Sequence, residues 1–111
     1  MKDDSVYLKH IADAISKIET YTAGLTEAAF LDNSLVQDGV IRQFEIIGEA
    51  TKHLGPETRG QADEVPWRVI AGMRDTLIHE YFGISIKVVW ETVVNDIPPF
   101  KSAVQKLLVR P

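Results

Sequence analysis

The sequence predicts an all-α chain: an antiparallel up-and-down bundle of four main helices with a short C-terminal helix. Three observations carry this expectation. Apolar residues recur at steps of three and four along most of the 111 residues, the period of a helix that buries one face. Gly and Pro gather between those periodic stretches, where they end helices or open them. No alternation of apolar and polar residues runs long enough to make a strand. Short connections between long helices favour antiparallel neighbours.

The first helix covers about residues 4–22, with Tyr7, Ile11, Ile15, Ile18 and then Tyr21 or Thr22 on its apolar face. Asp3 or Asp4 caps its start and Gly24 stops it. "LTEAAFLDN" (25–33) holds one short helical turn capped by Thr26. Ser34 caps a second long helix, about residues 34–54, that buries Val36, Val40, Phe44, Ile47, Thr51 and Leu54, with Ile41 and Gly48 widening the stripe. Gly39 and Gly48 each cost that helix about 1 kcal/mol relative to Ala. Close approach of a neighbouring helix is the reason to accept them. "GPETRGQADEVP" (55–66) reads as a polar loop. Pro66 suits the first turn of a third helix, which runs from Trp67 to about Tyr81 and stops at Gly83. Ser85 caps a fourth helix with Ile86, Val89, Trp90, Val93 and Ile97 on one side. Pro98 and Pro99 break the chain and open a last helix, Phe100 to about Val109.

A chain of 111 residues makes one domain, residues 1–111. A domain of this size buries roughly 60–70% of its unfolded surface, so its core is modest and a partner subunit would add to it. A hydrophobic fraction of 45% and a charged fraction of 25% are those of a globular protein. No apolar run approaches the ~18–20 residues of a membrane span. "MKDDSVYLKH" places acidic residues where a secretion signal needs a basic patch and then an apolar stretch. The absence of cysteine excludes a disulfide framework and a thiolate metal site. A soluble, cytoplasmic protein is expected. The net charge of −4 weighs mildly against nucleic-acid binding, because phosphate contacts need Lys and Arg. A small basic cleft can still sit on an acidic protein, and a two-fold dimer doubles it. Lys52, Arg59 and Arg68 read as solvated surface.

The segment "RDTLIHEYF" (74–82) stands apart. On a wheel of about 100° per residue, Arg74 falls in the middle of the stripe formed by Trp67, Ile70, Leu77, Ile78 and Tyr81. A guanidinium there is costly to desolvate unless it is paired or opens into a cleft. An ion pair with Glu45 or Glu49 of the second helix is one answer. Tyr81 lies within about 20° of Arg74, whereas His79 lies about 140° away, on the flank of Asp75. Arg74 and His79 do not easily share a pocket on one unbroken helix. Either the helix loosens between them, or a two-fold dimer brings both copies to a common cleft. Taken singly, His79 reads as a surface pair with Asp75, and Tyr81 as core or rim.

The spacing Arg74-x4-His79-x-Tyr81 in "RDTLIHEYFG" is framed by "IIGEATKHL" (46–54), "VPWRVIAGMRD" (65–75) and "VVWETVVNDIPPF" (88–100). In that order the blocks resemble the HepT-like family of HEPN-domain proteins, the toxin halves of toxin–antitoxin pairs. The likeness covers nearly the whole chain. Gly39 stands where the family commonly has Ala, and Asp75 where it often has Asn. Neither departure removes a motif residue. The resemblance implies a HEPN-like bundle that forms a homodimer, with the motifs of both chains lining an active-site cleft at the interface. It also implies a metal-independent ribonuclease of a type VII-like system. The implied partner is a minimal, MntA-like nucleotidyltransferase antitoxin, which transfers AMP from ATP to the motif Tyr and silences the toxin. Carried over, the acceptor is Tyr81.

These residue types suit RNA cleavage in which the ribose 2′-OH attacks the adjacent phosphate and the 5′-oxygen leaves. His79, with a reference pKa of ~6.5, serves as acid or base. Arg74 clamps the phosphate oxygens and stabilises their charge. Asp75, four residues before His79, orients the imidazole, and Glu80 stands with it as a supporting residue. No cofactor is called for, and His10, His53 and His79 lack metal-site spacing. The competing reading is a helical binding subunit that docks a nucleotidyltransferase and has no activity of its own. The net charge of −4 leans that way.

Overall fold

A computed structural model of the chain describes residues 3–72 and 85–109. The described residues form α1 (Ser5–Thr22), α2 (Glu27–Leu31), α3 (Ser34–Lys52), α4 (Pro56–Gly60), α5 (its described part, 67–72), α6 (Ile86–Asn95) and α7 (Ile97–Leu108), with no strand among them. The all-α expectation holds among the described residues. Among the described residues no helix is long and apolar enough to cross a membrane.

In α1 the middle of the expected face is buried, with Ile11, Ile15 and Ile18 at most 1% exposed and Leu8 and Ala14 beside them, while at its ends Tyr7 and Thr22 are half-buried and Tyr21 is exposed. Its two candidate caps divide the work. The Asp3 carboxylate accepts from the Ser5 amide at 2.9 Å, and hydrogen bonds from Ser5 hold its carboxyl below the usual range. Asp4 instead reaches across the chain, where Oδ2 accepts from Gly55 N at 2.9 Å and Thr58 Oγ1 at 2.6 Å. Gly24, at φ 74°, turns the chain out of α1 through the left-handed region that Gly enters without steric cost.

Thr26 Oγ1 caps α2 by accepting from Ala29 N at 3.1 Å, as expected. The short helix exists to seat Phe30, fully buried, against Trp90 at 5.0 Å between ring centroids. The cap of α3 is Asn33, not Ser34: Asn33 Oδ1 accepts from Val36 N at 3.1 Å. Both residue types cap well, and only the backbone decides between neighbours. Along α3, Val40, Ile41, Phe44, Ile47, Ala50 and Thr51 are buried, and so are Gln43 and Gly48. The buried set spreads well beyond one stripe, which puts α3 at the centre of the fold.

The polar stretch 55–66 is not a plain loop. Gly55 and Pro56 start the single turn α4, because Pro at the first helical position lacks only an N–H that would go unused. Arg59 is not solvated surface. Its Nη2 donates to Thr51 O at 2.8 Å, a cation on the carbonyl end of α3, where the helix dipole favours it. Lys52 and Arg68 are exposed as expected. Pro66 lies one residue before α5, and its carbonyl accepts from Ile70 N at 3.1 Å. Trp67 is anchored: Nε1 donates to Ala62 O at 2.9 Å, and its ring meets Phe100 edge-on at 5.8 Å.

Ser85 caps α6 as expected, its Oγ accepting from Val88 N at 3.4 Å. The last helix starts earlier than Phe100. Asp96 ends α6 and caps α7, so Pro98 and Pro99 sit inside the first turn of α7, where missing N–H groups leave no hydrogen bond unmade. At 12 residues α7 outlasts the 10 of α6. α1 packs along α3 and α7. Tyr7 near the start of α1 stacks on His53 past the end of α3. Tyr21 near the end of α1 covers Gly39 near the start of α3. The two helices are therefore antiparallel, and the close approach expected at Gly39 is made by Tyr21.

Candidate functional site

Arg74, Asp75, His79, Glu80 and Tyr81 lie outside the described residues, as do the expected end of the third helix at Tyr81 and its stop at Gly83. The flanks of that segment are described. Before it, Trp67 of α5 is 6% exposed and Ile70 packs against the core. After it, Ser85 caps α6, which buries Val89 and Val93.

The described residues that the sequence tied to Arg74 are Glu45 and Glu49. Both line a groove of about 380 Å³ between α1 and the C-terminal half of α3. Glu45 Oε2 lies 3.8 Å from Arg42 Nη1, and Glu49 Oε1 lies 3.8 Å from His53 Nε2. Both distances exceed the roughly 2.7–2.9 Å of a charge-assisted hydrogen bond. The α1 wall is aromatic. Tyr7 stacks on His53 with centroids 4.7 Å apart and planes 10° from parallel. His10 meets the Tyr7 ring edge-on at 6.3 Å. Ile46 and Ala50 form part of the apolar lining.

Sequence reasoning did not find this cluster. Tyr7 reads as a core position in α1, and His10 and His53 as histidines without a metal partner. The only local signals are spacings: Tyr7 and His10 three apart, Glu49 and His53 four apart, each pair on one helical side. Their meeting across α1 and α3 is a tertiary fact. Among the described residues no group of three or more His, Asp or Glu is placed to hold a metal ion.

A family model described as ribonuclease HepT-like matches residues 11–107. A probable ribonuclease HepT from Thermococcus cleftensis is 46% identical over 101 residues, 91% of this chain and 92% of that protein. A candidate RNase from Caldanaerobacter subterraneus subsp. tengcongensis is 39% identical over 108 residues, 97% of this chain and 96% of the relative. A Methanocaldococcus jannaschii protein named as a gamma-glutamylcyclotransferase and candidate RNase is 45% identical over 107 residues, 96% of this chain. The chain spans about half of that protein, 48% of its length. No solved structure matches.

Proposed function

Because the chain belongs to the ribonuclease HepT-like family, we propose that it is a ribonuclease acting without metal through Arg74 and His79. The observation that carries the proposal is the family match over residues 11–107, a span that includes the whole Arg74-x4-His79-x-Tyr81 motif. Residues 1–111 act as one domain in this reading, and two copies form a homodimer whose interface cleft receives both motifs.

In that cleft the 2′-OH of the RNA attacks its own phosphate. His79 moves the proton, one copy accepting it from the 2′-OH and the other donating to the leaving 5′-oxygen. Arg74 holds the phosphate oxygens as their charge grows. Asp75 and Glu80 support His79. The products are a 2′,3′-cyclic phosphate and a free 5′-hydroxyl. The protein is then the toxin of a pair whose antitoxin is a minimal nucleotidyltransferase. AMP placed on Tyr81 adds a phosphate charge that can pair with Arg74 and adds bulk in the cleft, and both exclude RNA.

Purified protein incubated with cellular RNA in EDTA tests the activity. Wild type cleaves, and His79→Ala and Arg74→Ala each lose at least about 100-fold, the scale on which acid–base and charge-stabilising groups act. Equal background in all three refutes it. Mass spectrometry after incubation with the nucleotidyltransferase and ATP should find AMP on Tyr81; AMP on another residue refutes that part. The net charge of −4 favours a second reading, a binding subunit that docks the nucleotidyltransferase without cleaving RNA. The same assay separates the two.

A further inference from the structure

We draw no further inference here: the strongest candidate, the groove of about 380 Å³ between α1 and α3, has its carboxylates Glu45 and Glu49 beside Arg42 and His53 and its rings packed on one another, and nothing in the structure shows what covers it.

Discussion

α1 meets α3 through a tyrosine at each end, and the two ends differ. At one, Tyr21 lies over Gly39, and a Cβ on that glycine would stand 3.2 Å from two ring carbons. The contact is closed. At the other, Tyr7 stacks on His53, and a groove remains beside the pair. There Asp4 ties the start of α1 to Gly55 and Thr58 of α4, just past the end of α3. The lesson concerns what faces the ring. Opposite a glycine the ring becomes packing. Opposite another ring, with charged groups around it, it becomes a wall.

The polar clamp should be the more costly one to break. Asp4→Ala leaves the Gly55 amide without its acceptor and is expected to lower stability by about 2–3 kcal/mol, the range for lost hydrogen bonds to a charged group that is partly buried. Urea unfolding measures it, and a loss below about 0.5 kcal/mol would move the clamp to the surface. Gly39→Leu comes next. It drives a side chain into Tyr21 at about 1–2 kcal/mol. A double-mutant cycle with Tyr21→Ala should recover most of that loss, and no recovery would mean that Tyr21 is not the neighbour that sets the cost. Smallest is Lys101→Ala. It removes the exposed pair with Glu19, 3.0 Å apart, on the α7 side of the closed end, and should cost about 0.5 kcal/mol or less. Repeating the measurement in high salt should erase the difference.

Helix content and caps were readable where the signal is local. The isoleucines of α1, Thr26 and Ser85 are settled by neighbours within four residues. Asn33 against Ser34 was ambiguous because either side chain can cap and only the chain's turn into α3 chooses. α4 was hidden by composition, since "PETRG" carries no apolar period and its single turn is set by Pro56. Pro98 and Pro99 were read as breakers, yet in a first turn a proline breaks nothing. Arg59 looked like surface because its partner is a backbone carbonyl in another helix. The groove was invisible for the same reason: Tyr7 and His53 meet only once α1 and α3 are packed. The motif residues Arg74, His79 and Tyr81 were legible as a spacing and a family likeness, and the sequence remains their warrant.

The Asp4 clamp has a consequence for how the fold can be watched. Residue 4 is tied to residues 55 and 58, so the bond forms only after α1, α3 and α4 have found one another. Non-local contacts of this kind slow folding, because a long stretch of chain must be ordered before they repay it. The Gly55 amide is therefore a reporter of assembly. Its exchange with deuterated solvent should follow the opening of the α1–α3 pair, separating that event from the fraying of either helix alone.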